Sequence, residues 1–587
     1  MTVVHGSSNM PTATTVAIAG GGPSGTYLAL ALAKHGIESV VIEPRRTIDH
    51  FRPRAKTTNA RTMTLLAELG LADSVREAAA LPVSYSQDVM FSTALTGYEL
   101  RRFHGAFQLE AGRYEIQPEC GQQIPQPDVE EVLRAAAADC PLITYVTGMR
   151  ATGTDLSDTQ APVLVVTGAD PAATADTVSR EQLGTHRLSA RWIVGADGGS
   201  SAVRKSLGIK LSGTTAPKAN FNVVFRSKGL RERVTLDPAV QWWIVGDRSG
   251  MIGELDRDGT WWTIMQGTDP IEDPDELAAA LRTMAGVGED VDIEILATDS
   301  WTARMLLTES ESYGYEESGG SVFLVGDAAH LNPPWGGHGF NTCVVDAANL
   351  AWKLAAVHAG WANASLLASY GAERRPVAAR MISDAAANGK ALAFDFVAPD
   401  LAVDGSAGIA ARARVHDALA VKTSEFHSEG LVVGYEYANT GWVQPGLTPF
   451  VDAIEYRPQA LPGCLLPHFW RTDGASIYPT RTDFTLFTVD GESGEPQASP
   501  AAGALVDAAQ QAGIPLNTIR LAGADATRAR TLWDGAAALL VRPDRHIAAV
   551  LPAPVTTGPV DPTASPADGV LVRGLLTATG HTDGAGA

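Results

Sequence analysis

Hydrophobic and polar positions near the N-terminus predict a strand, a helix and a second strand. Residues 15–19 form a short apolar run that stops at glycine, which is typical of a buried parallel strand. Residues 24–35 are rich in alanine and leucine and end before Gly36, so they predict a buried helix. Residues 39–43 are apolar again and end in Glu43, which predicts a second strand beside the first.

Further along the chain, the spacing of hydrophobic and polar residues changes and predicts other elements. Residues 215–300 alternate between apolar and polar positions, which predicts a largely antiparallel sheet. Four tryptophans are expected in the core of this sheet, although some of them could line a ligand pocket: Trp242, Trp243, Trp261 and Trp262. Residues 321–325 predict another buried strand, and residues 342–358 predict a long helix. After residue 463 strand and helix patterns alternate again, which predicts a small separate α/β domain.

Composition narrows the class of protein. A chain of 587 residues is too long for one hydrophobic core, which predicts two to four domains. The formal net charge of −21 argues against nucleic acid or an anionic membrane as partner, because both require basic surfaces. We expect a cytoplasmic protein, since no secretory signal and no apolar run of bilayer length is visible. The four cysteines are scattered without a CxxC pair, which is typical of reduced thiols.

A glycine motif follows the first predicted strand. Gly20, Gly22 and Gly25 have the GxGxxG spacing, in which glycines permit a tight turn and close approach of the backbone to a pyrophosphate. Glu43, at the end of the second strand, is the acid expected on an adenosine ribose. An ordinary glycine turn is the alternative, but the full strand–helix–strand–acid pattern favours dinucleotide binding.

Two aspartates follow other predicted strands. Asp197 lies in residues 195–204, where it either caps a helix or contacts a ligand. Asp327 could accept hydrogen bonds from a polyol, and residues 333–341 are rich in glycine and proline directly before a long helix. A helix N-terminus there would stabilise negative charge on a ligand, whereas the alternative is a glycine-rich turn with a cap.

These motifs together resemble those of the FAD-dependent aromatic hydroxylases. The resemblance rests on GGGPSG with Glu43, on GADGGSSAVR at 195–204, and on GDAAH, PPWGGHGFN and DAANLAWKL within 326–354. This family comprises single-component flavoprotein monooxygenases of the p-hydroxybenzoate hydroxylase superfamily. Its phenol hydroxylase branch is the closer likeness, because of the chain length and because residues 462–476 and 540–544 resemble that branch's C-terminal thioredoxin-like domain.

The resemblance implies an α/β fold with a Rossmann-like FAD-binding domain interleaved with an antiparallel substrate-binding sheet. The implied domains are an FAD-binding domain at 14–210 and 301–395, a substrate-binding sheet at 211–300, a helical or linker region at 396–460, and a thioredoxin-like domain at 461–570. The last domain has no CxxC and hence no thioredoxin chemistry. Its expected role is packing or subunit contact, as in a homo-oligomer such as a dimer.

The resemblance also implies one FAD site built from distant segments. The residues implied around the pyrophosphate and adenosine are Gly20, Gly22, Pro23, Ser24, Gly25, Glu43, Pro44 and Arg45. The residues implied around the ribityl chain and the isoalloxazine are Arg54, Gln126, Asp327, Pro334, Gly337, His338, Gly339, Phe340 and Asn341. Asp197 belongs to a motif linked with both FAD and transiently bound NAD(P)H.

The residues expected to act on the substrate depart from the family. Where phenol hydroxylases have an aspartate base, this chain has Lys56. The lysine could stabilise a phenolate, pair with a substrate carboxylate, or act as base if burial lowers its pKa; a solvated lysine is the alternative. His338, in the glycine-rich loop, is the second candidate for proton transfer, although such a histidine more often only packs. His330 is expected to be structural.

The activity implied is NAD(P)H- and O2-dependent hydroxylation of a phenolic or other electron-rich aromatic substrate through a C4a-hydroperoxyflavin. The partners are then a small aromatic molecule and O2. Two alternatives stay open. One is a Baeyer–Villiger-type or polyketide-tailoring flavin monooxygenase, and the other is a flavin-binding module without turnover.

Overall fold

The computed structural model describes residues 3–5, 10–169, 184–437, 449–479, 482–494, 496, 499–553 and 567–581. The strands are β1 (Val3–His5), β2 (Ala13–Ala19), β3 (Ser39–Glu43), β4 (Thr57–Thr58), β5 (Val89–Ser92), β6 (Glu99–Phe103), β7 (Gln122–Gln123), β8 (Ile143–Thr147), β9 (Met149–Asp155), β10 (Val163–Gly168), β11 (Thr185–Gly195), β12 (Leu211–Arg226), β13 (Gln241–Ile244), β14 (Gly250–Glu254), β15 (Thr260–Gln266), β16 (Glu294–Thr308), β17 (Val322–Leu324), β18 (His330–Leu331), β19 (Phe484–Val489), β20 (Leu516–Leu521), β21 (Ala536–Val541) and β22 (Ile547–Pro552). The α-helices are α1 (Pro23–Lys34), α2 (Ala60–Glu68), α3 (Ala72–Ala78), α4 (Gln126–Asp139), α5 (Ala202–Ser206), α6 (Leu230–Arg233), α7 (Pro274–Ala285), α8 (His338–His358), α9 (Ser369–Asn388), α10 (Gly405–Ala418), α11 (Thr423–Phe426), α12 (Glu429–Val432), α13 (Ser499–Ala512), α14 (Gly523–Leu532) and α15 (Ala567–Ala578).

The predicted strand–helix–strand unit is confirmed and lies at the centre of the first sheet. This sheet has the order β1-β8-β3-β2-β11-β10-β9, with β17 also paired to β11. Strand β2 pairs in parallel with both β3 and β11, and every residue of β3 is buried, which explains its continuous apolar run. Helix α1 packs against α8, so the glycine turn and the Asp327 loop meet at the same edge of the sheet. Val3–His5 extends this sheet, although the domain was expected to begin at residue 14.

The second sheet is mostly antiparallel and wider than residues 211–300. Its order is β18-β16-β12-β15-β14-β13-β5-β6. Strands β5 and β6 come from residues 89–103, and β5 pairs in parallel with β13, so part of the sheet lies far upstream in the chain. The sheet also continues through β16 to Thr308 and takes in β18.

The tryptophan pairs lie in the core of this second sheet, as predicted. Trp242 and Trp261 pack on one face, where α7 covers them. Trp243 and Trp262 point to the opposite face, together with Phe91 and other aromatic side chains. Because successive residues of a strand face opposite sides, each Trp–Trp pair contributes one ring to each layer.

The C-terminal unit contains a four-stranded sheet of order β20-β19-β21-β22. Strand β19 pairs in parallel with β20 and antiparallel with β21. Helices α13 and α15 pack on one another, and α15 also covers β22. The assignment of this C-terminal unit to the thioredoxin fold and the exact domain boundaries stay predictions.

Among the helices in the described ranges, none combines the length and apolar character needed to cross a bilayer.

Candidate flavin site

The glycine turn after β2 leaves the N-terminus of α1 open. Gly20 has a φ of +103°, and a Cβ atom there would lie 2.2 Å from the carbonyl oxygen of Ala196. A Cβ atom on Gly25 would lie 2.0 Å from the carbonyl oxygen of Gly20, so neither position has room for a side chain. A Cβ atom on Gly22, by contrast, would meet no heavy atom within 4 Å. The second glycine therefore faces open space at a helix N-terminus, where a pyrophosphate would be stabilised.

Glu43 fixes the glycine turn from the end of β3. Its buried carboxylate accepts a hydrogen bond from the backbone N–H of Gly21 at 2.8 Å. The other oxygen accepts from the backbone N–H and the Nε of Arg45, both at 2.8 Å. Arg45 also reaches Glu130 at 3.0 Å. The predicted ribose acid and the predicted adenine-side arginine are thus held together beside the turn.

Asp197 does cap a helix, as one of its two sequence interpretations predicts. Oδ2 accepts hydrogen bonds from the backbone N–H groups of Ala202 at 2.7 Å and Val203 at 3.2 Å. Oδ1 is buried and has no hydrogen-bond partner among the described residues. Desolvation raises the pKa of this carboxyl, against the hydrogen bonds that lower it. One oxygen holds α5 and the other is shielded from solvent, so a role of Asp197 in ligand binding stays a prediction.

The Asp197→Asn and Asp197→Ala variants separate these two roles. The alanine variant loses the cap and should unfold with a free energy of unfolding lower by about 1 kcal/mol. The asparagine variant keeps an oxygen for the cap and should retain nearly all of that stability. If the carboxylate also binds a nucleotide, both variants bind FAD or NAD(P)H several-fold more weakly. Urea unfolding and nucleotide titration check the two effects independently, and equal stability of all three proteins would contradict the capping role.

Asp327 lies directly after β17, next to the helix α8 that follows. Its carboxylate is open to solvent although protein surrounds most of it, and desolvation raises its pKa against the opposing charges of His330 and Arg54. The Cys343 thiol on α8 donates to Oδ1 at 3.5 Å. An accessible carboxylate at this depth fits a hydroxyl-rich chain such as ribityl, since both of its oxygens are hydrogen-bond acceptors.

Behind Asp327 a buried ionic hub holds the loop. Asp346 of α8 accepts from the backbone N–H of Gly326 at 3.1 Å, and its carboxylate lies 2.7 Å from His330 Nε2 and 2.7 Å from Arg374 Nε. Burial opposes charge on His330, but Asp346 outweighs it and the pKa of His330 is raised. His330 is fully buried in this hub. It is therefore placed as a structural residue.

The glycine-rich loop before α8 is held against residues 57–59. A Cβ atom on Gly337, which has a φ of +67°, would lie 2.9 Å from Thr57 Oγ1. The side chain of Asn341 donates to the carbonyl oxygens of Gly337 at 2.8 Å and Thr57 at 3.3 Å, and it accepts from the backbone N–H of Asn59 at 3.0 Å. The first turns of α8 are thus held next to Thr57, the residue that follows Lys56.

Lys56 lies between this loop and the second sheet. Its Nζ is 4.0 Å from the centroid of the Trp262 ring and donates to the carbonyl oxygen of Arg54 at 2.9 Å. Desolvation lowers the pKa of Lys56 to about 7. Arg54 itself is exposed and has a φ of +48°, a left-handed conformation that is uncommon outside glycine. Lys56 is therefore directed at an aromatic layer of the sheet rather than fully solvated.

His338 occupies the first turn of α8 with its ring buried. Desolvation lowers its pKa to about 4, so the imidazole is neutral at neutral pH. Nε2 is buried and has no hydrogen-bond partner among the described residues. A neutral ring at this position can donate or accept one hydrogen bond, but its low pKa makes it a weak proton acceptor.

The other predicted cofactor residues lie on the rim of the cleft. Gln126 begins α4, donates from its backbone to the carbonyl oxygen of Ala55 at 2.8 Å, and pairs its side chain with Glu130 at 2.8 Å. It therefore holds the segment that contains Arg54 and Lys56. The rim residues that are exposed or half-buried are Pro23, Ser24, Pro44, Pro334, Gly339 and Phe340.

The predicted segments converge on one cleft. The Gly20 turn lies against Ala196, next to Asp197. A Cβ atom on Gly326 would lie 3.0 Å from Ser24 Oγ, so the Asp327 loop contacts the first helix turn. Asn341 then joins α8 to residues 57–59. The open helix N-terminus, the accessible carboxylate and the glycine-rich loop follow one another as the phosphates, the polyol and the ring of FAD would require.

Sequence reasoning missed several residues of the site. Asp346 lies within a motif used for the resemblance, yet its role as hub was not predicted. Tyr145 donates to the carbonyl oxygen of Gly21 at 2.7 Å from a strand more than a hundred residues away. Glu254 lines a small cavity with Lys56, hydrogen-bonds to Tyr85, and has a pKa raised by desolvation. By alternation along β14, Glu254 shares a face with Ile252 on the Trp261 side of the sheet, so the strand pattern gave no sign that Glu254 lines a cavity with Lys56.

This arrangement fits a dinucleotide-binding protein. The family model described as "FAD binding domain" matches residues 13–385. The FAD-dependent monooxygenase apdD of Emericella nidulans is 28% identical, with 92% of this chain and 88% of that protein covered. Phenol 2-monooxygenase of Pseudomonas sp. (strain EST1001) is also 28% identical, with 91% and 89% covered. The structure of chromopyrrolic acid-soaked RebC with bound 7-carboxy-K252c superposes with a TM-score of 0.80 at 28% identity, over 98% of this chain and all of that chain.

The chain belongs to the FAD binding domain family, among the FAD-dependent monooxygenases of aromatic, phenol and polyketide type. It is accordingly an FAD-dependent monooxygenase, and the alternative of a flavin-binding module without turnover is set aside.

Proposed function

We propose that this enzyme uses NAD(P)H and O2 to hydroxylate a phenolic or other electron-rich aromatic ring. The observation that carries the proposal is the position of Lys56 Nζ, which lies 4.0 Å from the centroid of the Trp262 ring. Lys56 directly precedes Thr57, whose carbonyl oxygen accepts a hydrogen bond from Asn341 of α8. When bound, FAD supplies the redox and oxygen-transfer chemistry that amino-acid side chains lack. The chain must bind the cofactor, orient the substrate, exclude water and move one proton.

Binding of the cofactor is assigned to groups already in place. The N-terminus of α1 at Gly22 would stabilise the pyrophosphate, and Asp327 would accept from the ribityl hydroxyls. Gly337 and Asn341 would face the pyrimidine edge of the ring, where the N-terminus of α8 favours negative charge. Asp197 would lie next to the pyrophosphate, because the glycine turn at Gly20 packs against it.

Positioning of the substrate is assigned to the aromatic face of the second sheet. Trp262 and Trp243 point to that face, and apolar side chains exclude water around them. An aromatic ring placed there would bring a hydroxyl group toward Lys56. With a pKa near 7, the neutral amine of Lys56 can take the phenol proton, and the ammonium so formed stabilises the phenolate. Deprotonation raises the electron density of the ring, which favours attack by an electrophilic oxygen.

The direct test is a screen of phenols, hydroxybenzoates and polycyclic phenols with the purified, yellow protein. A true substrate is expected to accelerate NAD(P)H oxidation and to yield a product heavier by one oxygen atom. Peroxide release must be subtracted, because a non-substrate effector also stimulates NAD(P)H consumption. Stimulation that ends entirely in peroxide for every phenol tested would overturn the proposal.

The structure of the product separates ring hydroxylation from the second candidate. A ring-hydroxylated product retains all carbon–carbon bonds, whereas Baeyer–Villiger-type oxygenation converts a ketone into an ester. The polyketide-tailoring form of the second candidate is kept because a putative polyketide hydroxylase is among the relatives of this chain.

A further inference from the structure

A buried ion cluster joins the flavin-binding part of the chain to the C-terminal unit. Glu373 of α9 accepts two hydrogen bonds from Arg542, each at 2.8 Å, and lies 2.8 Å from Lys353 Nζ. Arg542 also contacts Asp544 at 2.6 Å. These four side chains are at most 5% exposed. Charges this deeply buried tolerate little change in geometry, because loss of any partner leaves another charge without compensation.

This cluster continues through hydrogen bonds to the Asp327 loop. The Asn349 amide nitrogen lies 3.1 Å from Asp544 Oδ2 and 3.4 Å from the hydroxyl of Tyr437. Arg374 Nη1 donates to the same hydroxyl at 3.4 Å, and Arg374 Nε donates to Asp346 at 2.7 Å. Asp346 then holds the backbone N–H of Gly326, the residue before Asp327. The turn at 542–546 is therefore connected to the flavin loop by an unbroken buried polar chain.

We propose that the turn at 542–546 positions the flavin loop, so that the C-terminal unit is a working part of the FAD site. Arg542 is the positioning residue, because it fixes Glu373 on α9 and Asp544 at once. With Arg542 in place, Asn349, Arg374 and Asp346 keep one arrangement, and Gly326 and Asp327 are presented to the ribityl chain. The inference rests on FAD binding alone and is independent of the substrate proposed above.

Reciprocity gives the first test. If docking of the turn strengthens FAD binding, FAD binding must stabilise the turn by the same factor. We expect hydrogen exchange at the amides of Arg542 and Arg545, which are bonded within the turn, to slow when the full-length apoprotein is reconstituted with FAD. The amides of β20, on the far edge of the same sheet, serve as the internal reference. Unchanged exchange at 542–546 would overturn the proposal.

Substitution at Arg542 gives the second test, read as the FAD dissociation constant of the folded apoprotein. Arg542→Met is expected to weaken FAD binding at least tenfold, and Arg542→Lys to recover part of the loss. Arg520→Met is the control on the same unit, since the Arg520 side chain is 57% exposed and lies on the edge strand β20. The proposal is overturned if Arg542→Met binds FAD with a dissociation constant within twofold of the parent protein while hydrogen exchange in its C-terminal unit is faster. The cluster would then only hold the two parts of the chain together.

If Arg542→Met does not fold, a more conservative pair of variants tests the same effect on FAD binding. Tyr437→Phe removes the hydroxyl that joins Arg374 and Asn349, whereas Tyr435→Phe removes a buried hydroxyl without a hydrogen-bond partner among the described residues. The two ring centroids lie 5.7 Å apart, so the substitutions remove the same atom from neighbouring positions that differ in their hydrogen bonds. We expect FAD affinity to fall about fivefold for Tyr437→Phe only. Equal affinities for both variants would overturn the proposal.

Discussion

Replacement of Gly22 by glutamate is expected to give a folded but colourless protein. The φ at Gly22 is −74°, which any residue can adopt, and a Cβ atom there meets no heavy atom within 4 Å. The new side chain would enter the space at the N-terminus of α1 that we assign to the pyrophosphate, and its charge would repel the phosphates. Like charges placed together at an interface cost several kcal/mol, so FAD affinity should fall by at least about a hundredfold.

Gly229→Glu is the matched control for this experiment. Gly229 also has an ordinary backbone conformation, with a φ of −87°, and open space at its Cβ position, but it lies at the start of α6 in an exposed position. Absorbance of bound flavin and thermal unfolding of the apoprotein are the measurements. Two variants with equal flavin content would contradict the placement of the pyrophosphate, whereas a destabilised Gly22→Glu apoprotein would contradict the open space.

Replacement of Lys56 by methionine is expected to lower kcat/KM for a phenolic substrate about 10²- to 10⁴-fold while FAD stays bound. The pKa of Lys56 is lowered to about 7, so in the parent enzyme the fraction of neutral amine rises as the pH rises through that value. If the amine is the base, kcat/KM rises over the same interval and then levels, and this limb disappears in Lys56→Met. If the ammonium acts instead by its charge, kcat/KM falls over that interval.

A further variant separates the charge of Lys56 from its capacity to accept a proton, and another serves as a control. Lys56→Arg keeps a permanent charge, so it restores activity only if the charge is what matters. Lys218→Met is the matched control, because Lys218 also lies over an aromatic ring, 5.7 Å from the centroid of Phe394, but in an exposed position. Full activity of Lys56→Met would remove this residue from the chemistry and leave the neutral His338 as the remaining sequence candidate.

The sequence predicted the parts of the fold whose signal is local. The strand–helix–strand unit at 13–43 was found because buried parallel strands are apolar throughout and glycine marks the turn. The pairing of Val89–Ser92 with Gln241–Ile244 was not found, because a four-residue strand carries no sign of a partner 150 residues away. Val3–His5 was missed for the same reason.

The residues of the candidate site likewise fall into those that a local motif indicates and those that depend on contacts between distant segments. Gly20, Asp327 and Asn341 occur in motifs, and the structure brings them to one cleft. Asp346 and Tyr145 act through contacts between distant segments, which a single sequence does not record. Lys56 could be identified by position, but its lowered pKa depends on burial against Trp262, and only the fold supplies that.

The left-handed backbone at Arg54 has a consequence for the lysine two residues later. A non-glycine residue in this region costs about 1–2 kcal/mol relative to an ordinary conformation. Its carbonyl oxygen accepts the hydrogen bond from Lys56 Nζ, so rotation of Arg54 into a relaxed conformation would turn that acceptor away. This hydrogen bond therefore couples the backbone conformation of exposed Arg54 to the proton affinity of the half-buried Lys56 amine, and a substrate that shifts one is expected to shift the other.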